Sequence, residues 1–149
     1  MKKSALLLIC FMFIMFTASG CNAVSDSEIE GKNIRVRIDG TLMSVTWENN
    51  DSVRDLKKYL IDKELVIKMN QYGGFEQVGN LGRSFKSYNR QMTTSPGDIV
   101  LYNGSQIVIF YGSNTWSYTK LGRLVGKSQT ELKNILDKSG VTLRLSLAD

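Results

Sequence analysis

Short runs of alternating apolar and polar residues, each closed by a turn signal, constrain the fold of this chain more than any other feature. Ile34, Val36 and Ile38 alternate with Arg35 and Arg37, and Met43, Val45 and Trp47 alternate after Asp39-Gly40. A period of two sends successive side chains to opposite faces, so each run reads as a half-buried strand. Asp-Gly suits the two positive-φ positions of a type I′ turn and predicts a hairpin. Leu65, Ile67 and Met69 repeat the alternation, and Leu143, Leu145 and Leu147 end the chain with it. Ser95-Pro96-Gly97-Asp98 reads as a turn leading into a strand over 99–102, and Asn103-Gly104 is a second hairpin signal. Gln106 to Tyr111 is almost continuously apolar, as a strand covered on both faces requires, and Trp116 to Val125 is extended, with Gly122 marking a bulge.

Two helices interrupt the strands. Ser52 reads as an N-cap with Asp55 three residues on, and Val53, Leu56, Tyr59 and Leu60 share a face opposite Lys57 and Lys58. Ser128-Gln-Thr-Glu131 is a capping box ahead of Leu132, Ile135 and Leu136, and Gly140 stands where a C′ glycine belongs. Gln71 to Thr94, rich in glycine and polar residues, is expected to be one long loop, a kind of segment that often carries function. Seven or eight strands with two helices give a mainly β chain. Closing into an antiparallel barrel is the simplest way for it to lose its exposed edges.

The first twenty residues obey other rules. Lys2 and Lys3 precede the apolar run 5–16, and Ala18-Ser19-Gly20 lead to Cys21. The run is too short to span a bilayer, which takes about 20 residues, and its flanks are those of a cleaved signal peptide. The expected organisation is a signal peptide over 1–20, a lipidated Cys21 with a flexible tether over 21–31, and one domain over 32–149. Ala-Ser-Gly-Cys resembles the lipobox of bacterial lipoproteins, in which the cysteine thiol takes a diacylglyceryl group and becomes the N-terminus. That resemblance implies a palmitate-bearing, extracytoplasmic protein whose first partner is the membrane. An uncleaved anchor and cleavage without lipid are the alternatives.

Loss of residues 1–20 removes two of the 19 basic residues against 14 acidic ones, leaving a net charge of about +3. No Lys/Arg cluster with interleaved aromatics marks a nucleic-acid surface. Cys10 leaves with the signal and Cys21 is committed to the anchor, so the domain has no thiol chemistry of its own. It has no histidine either, which removes the commonest general base and the Ser-His-Asp and Cys-His routes. No cofactor and no metal site are expected, since zinc held by carboxylates alone is unusual.

The stretch Thr94 to Gly112, followed by Trp116 and Leu121-Gly-Arg-Leu-Val-Gly126, resembles the bacterial cyclophilin-like family, as does Phe75 to Ser84. The likeness runs from about Lys32 to Leu147. It implies a closed antiparallel barrel of about eight strands with two capping helices. Set against true cyclophilins, Pro96-Gly97 and Gly104-Ser105-Gln106 resemble their Gly-Pro-Gly and Gly-Ser-Gln segments. Gln106 and Val108 would then line the peptide groove, Trp116 resembles the groove tryptophan, and Tyr118 falls where those proteins keep a histidine. Phe75 is the nearest match to the start of their Phe-His-Arg motif. Glu76, read as solvent-facing, follows it, and the catalytic arginine has no counterpart, leaving Arg83 as the candidate guanidinium.

That arginine bears on function. Prolyl isomerisation must break amide resonance against a barrier of about 18–20 kcal/mol. A donor to the prolyl nitrogen favours the twisted state, whereas ground-state binding alone accelerates nothing. The expected groove is Phe75, Arg83, Gln106, Val108, Trp116 and Tyr118, binding a peptide or small ligand without catalysis. The alternatives are an extracytoplasmic prolyl isomerase and, from the company the family keeps, an accessory to a flavodoxin-like redox partner.

Overall fold

The computed structural model describes residues 23–148, and the first hairpin appears in it as the alternation requires. Asp39 (φ 48°) and Gly40 (φ 83°) occupy the left-handed region and join β1 (Asn33–Ile38) to β2 (Thr41–Trp47), with Ile38 opposite Thr41. After α1 (Asp51–Tyr59) come β3 (Leu65–Tyr72), β4 (Glu76–Asn80), β5 (Arg90–Thr93), β6 (Asp98–Tyr102), β7 (Gln106–Phe110) and β8 (Thr115–Val125), then α2 (Gln129–Leu136) and β9 (Gly140–Ala148). The strands run in the order β2-β1-β9-β3-β4-β7-β6-β8, and β8 pairs back onto β2. Eight antiparallel strands thus form a closed barrel. The short β5 hangs from the first half of β8, outside the ring.

The interior is filled by the inward set of each strand, including Ile34, Val36, Ile38, Ile67, Met69, Ile107, Ile109, Leu143 and Leu145. β2 and β8 run antiparallel, so α1, which follows β2, and α2, which follows β8, cover opposite ends. Val53 and Leu56 from the first helix, Leu60 at its C-cap, and Leu132 and Leu136 from the second helix complete the core. The capping box at Ser128 and Glu131 is fully formed. At the first helix the N-cap is Asn50 rather than Ser52. Its Oδ1 accepts from the Val53 amide at 3.0 Å while Nδ2 donates to the Lys120 carbonyl at 2.9 Å, so one side chain caps the helix and ties it to β8. Ser52 lies a step inside the helix and is buried.

Three further expectations are revised. The segment 71–94 is no single loop: it holds β4 and β5, and its irregular part, 81–89, is pinned by buried Leu81 and Phe85. Gly140 does not terminate α2. It opens β9, where a Cβ would come within 2.6 Å of the Met69 carbonyl oxygen. The helix is ended instead by Gln77, whose buried Nε2 donates to the carbonyls of Leu136 (2.7 Å) and Lys138 (2.8 Å) from inside the barrel. Of the segment read as a tether, Asp26–Glu28 forms a single 3-10 turn, Asp26 pairs with Lys58 at 2.9 Å, and Ile29 is buried. From Asp26 onward the chain is docked on the domain. Residues 1–22, with the signal peptide and Cys21, lie outside the described residues. Among the described residues no helix is long and apolar enough to cross a membrane.

The barrel closes through four pairs, Ser44–Val125 to Trp47–Gly122. Gly122 also flanks the bulge expected of it, where the β6–β8 register slips between Ile99 and Val100. A Cβ on Gly122 would meet the Thr46 carbonyl oxygen at 2.6 Å and the Trp47 Cα at 3.2 Å, and backbone cannot step aside. Gly122→Ala should therefore destabilise the fold by roughly 1–3 kcal/mol, read as a lower denaturant midpoint. An unchanged midpoint would mean that the two strands have room at the seam.

Candidate functional site

Because side chains alternate, the strands that fill the barrel with Ile99, Leu101, Ile107 and Ile109 send Val100, Val108 and Phe110 to its outer wall. There these residues do not meet water. With Tyr118 they form a second apolar cluster, banked by Phe75, Val78, Met92 and Tyr102. The Phe75 ring lies parallel to Phe110 with centroids 6.4 Å apart, and Tyr118 meets Phe110 and Tyr102 edge-on at 5.6 and 5.9 Å. Over this platform opens a cavity of about 680 Å³, within the range usual for small-ligand sites.

Strand register gives the cavity a direction. Tyr72, Glu76 and Phe110 are paired in one row across β3, β4 and β7. Asn70, Val78 and Val108 form the next, and Asn80, Gln106 and Tyr102 the last, across β4, β7 and β6. One end therefore offers a carboxyl group between aromatics and the other offers amides, with aliphatic side chains between. From β8, Trp116 adds a ring that is 56% exposed, and Asn114 Nδ2 donates to the Tyr118 hydroxyl at 2.9 Å.

Glu76 corrects the sequence reading most sharply. Far from facing solvent, it is only 6% exposed and lines the cavity, and its Oε2 is buried with no hydrogen-bond partner. Burial disfavours the charged form and pushes its pKa up to about 7. Burial likewise raises the Tyr118 phenol, opposed by the hydrogen bond from Asn114 and reinforced by the charge of Glu76.

Of the residues proposed from the sequence, Gln106, Val108, Trp116 and Tyr118 line this one cavity. Phe75 stands behind its wall, supporting Phe110. Arg83 is elsewhere: its guanidinium lies 4.9 Å from the Tyr59 ring centroid and 5.0 Å from that of Phe85, at the α1 end of the barrel. It does not take the groove position that the sequence reading gave it. Lys68 is the single cationic side chain lining the cavity, and its Nζ donates to Thr142 Oγ1 at 2.8 Å. Tyr72, Glu76 and Tyr102 were missed, the first two because the end of β3 and all of β4 were hidden in the supposed loop. A second cavity, of about 590 Å³, opens beside α1 and β5, and there Asp51 pairs with Arg54 and accepts from the Tyr88 hydroxyl.

The sequence profile of the cyclophilin-like family matches residues 36–147, and the chain belongs to that family. No curated protein matches it significantly in sequence. Among solved structures, McbB in complex with tryptophan shares the fold with a TM-score of 0.53 at 11% identity, over 76% of this chain and 44% of that one. This chain thus spans less than half of the McbB chain.

The buried carboxyl predicts how stability changes with pH. Folded Glu76 keeps its proton up to about 7, whereas an unperturbed glutamate loses it near 4.5. Between those values the folded state binds more protons than the unfolded one, so this group's contribution falls as pH rises through the window. The fall should reach at most about 3 kcal/mol. Glu76→Gln should remove it, making the variant more stable than the wild type at pH 8 and no more stable at pH 4.5. Parallel stability–pH curves for the two proteins would show that the carboxyl is hydrated.

Proposed function

We propose that this chain is a membrane-tethered binding protein, a cyclophilin-like barrel whose outer-wall cavity takes up a peptide or small molecule without catalysing a reaction on it. The observation that carries the reading is the cavity's composition. It joins an apolar floor and aromatic sides to separate amide and carboxyl groups, and no guanidinium is among its lining residues. A few fixed polar groups in a mainly apolar cleft orient a ligand. Twisting a prolyl amide additionally requires a donor at the nitrogen, and Lys68, bonded to Thr142, is the single lining cation. McbB, whose chain contains this fold, was solved in complex with tryptophan, a ligand well within the volume of this cavity.

The tether is the second half of the proposal. Its support is the sequence Ala18-Ser19-Gly20-Cys21 behind a short apolar run. With the chain docked from Asp26, four residues separate it from Cys21, and the five steps between them reach at most about 18 Å. Anchored in this way, the domain would sit against the headgroups.

Three experiments test the two halves. Trp47 is half-buried and donates to the Ile34 carbonyl, so a change in fluorescence on ligand addition should come from exposed Trp116 and vanish in Trp116→Phe. With a protease-coupled proline substrate the full chain should show little or no turnover. Brisk turnover would reverse the non-catalytic reading in favour of a prolyl isomerase. Cys21→Ser should shift the protein out of the membrane fraction or leave it at precursor size. Membrane-bound Cys21→Ser protein of mature size, together with a lipid-free wild-type mass, would refute the anchor.

A further inference from the structure

The inference here rests on the ligand-binding reading above and narrows it to a class of ligand. We propose that the cavity receives an organic ammonium group carried on an apolar or aromatic body, with the Glu76 carboxylate as its counter-charge.

The geometry carries this in three ways. Glu76 is 94% shielded from water, lines the cavity, and has an oxygen that no donor among the described residues reaches. A buried polar atom without a partner costs free energy, and such a cost within a cavity marks a place that a ligand completes. The second observation is the absence of an internal counter-charge. Lys68 lies on β3 four residues before Tyr72, the residue paired with Glu76, roughly 13 Å away along the strand. Its ammonium group is also bonded to Thr142 Oγ1 on β9. The third is the surround: Tyr72, 67% exposed, pairs with Glu76 on one side, and Trp116, 56% exposed, stands on the cavity's β8 flank. Ring faces beside a carboxylate attract cations, while the floor of Val78 and Val108 accepts the ligand's carbon skeleton. An anionic ligand would meet the only negative charge in the lining. A metal ion finds too few ligands, since no group of three or more His, Cys, Asp or Glu side chains gathers among the described residues.

Binding should also move a proton. The groups facing Glu76 are Tyr72 on β3, Tyr111 just beyond β7 and Tyr118 on β8, with Tyr102 on β6 and Lys68 on β3 farther along the cavity. Asp137, after α2, reaches the same end through Gln71, whose amide donates both to it and to the Tyr111 hydroxyl. Burial raises both Tyr111 and Tyr118 above the ordinary tyrosine range, so neither titrates in the working window. Glu76 must ionise to hold an ammonium, so a ligand that stays protonated throughout will displace a proton when it binds below about pH 7. Affinity then rises with pH.

The test uses the full chain in detergent with three probes of one shape, 2-phenylethylamine, 2-phenylethanol and 3-phenylpropionate, followed by Trp116 fluorescence and calorimetry. At pH 8 the amine should bind roughly tenfold or more tightly than the alcohol, with the carboxylate weakest. The amine's advantage should shrink toward pH 5, and calorimetry in buffers of different ionisation heat should record proton release. Glu76→Gln should erase the difference between amine and alcohol while keeping alcohol binding. The wild-type pH series decides the question even if that variant fails to fold. A phenylalanine dipeptide with a free N-terminus that matches the amine would locate the ammonium at a peptide end. Weaker binding would locate it on a free amine, and either result supports the assignment. Equal binding of the three probes, preference for the carboxylate, or, where the free dipeptide matches the amine, an acetylated dipeptide that binds as tightly would overturn the ammonium assignment and leave the binding reading standing. No response to any probe at either pH would overturn both.

Discussion

An eight-stranded antiparallel sheet either leaves two edges open or closes, and this one closes where Gly122 lets β8 lie directly against β2. The rest of the architecture is conditional on that contact. Closure gives the inward side chains a sealed volume to fill, sets the two helices at opposite mouths, and bends β3, β4, β7 and β6 into the wall that carries the cavity. β8 serves twice, since its second half makes the seam and its first half supplies Trp116 and Tyr118. A shift at the seam would reach the cavity through a single continuous strand.

Two adjacent residues on β4 show how differently the fold treats polar groups. Gln77 points inward, is fully buried, and its amide nitrogen donates to the carbonyls of Leu136, the last residue of α2, and of Lys138 just beyond it. Each residue leaves one oxygen unmatched, Gln77 Oε1 inside the barrel and Glu76 Oε2 on the outward side, where it faces the cavity. The first arrangement has a structural purpose, because helix-end carbonyls buried without donors are costly. The second has no structural benefit among the described residues. Strain of that kind gathers at functional positions and trades stability for recognition.

The strands with clean alternation are legible in the sequence itself. Ile34-Val36-Ile38 and Leu143-Leu145 announce their inward faces, and Asp39-Gly40 and Asn103-Gly104 take the positive φ angles their chemistry predicts. β4 was illegible for a physical reason. Its inward positions are held by Gln77 and by Gly79, where a Cβ would strike the Ile67 side chain at 2.4 Å, so neither looks like core. Missing β4 meant missing the outward set that alternates with it, Glu76 and Val78. The residues on β7 and β8 were found because family likeness pointed at them. Arg83 was drawn in by chemistry alone, and the sequence holds no signal that its guanidinium would settle over Tyr59 and Phe85.

The cavity lies on the outside of the barrel, and this separates two kinds of inheritance. Along β4, β6 and β7 the inward residues belong to the barrel core and the outward ones to the cavity wall, one residue apart throughout. Substitutions at Val78, Tyr102, Gln106 or Val108 can redraw what the wall recognises while Ile99, Leu101, Ile107 and Ile109 keep the barrel standing. Descendants of one ancestor can thus diverge in what they capture without passing through an unfolded form.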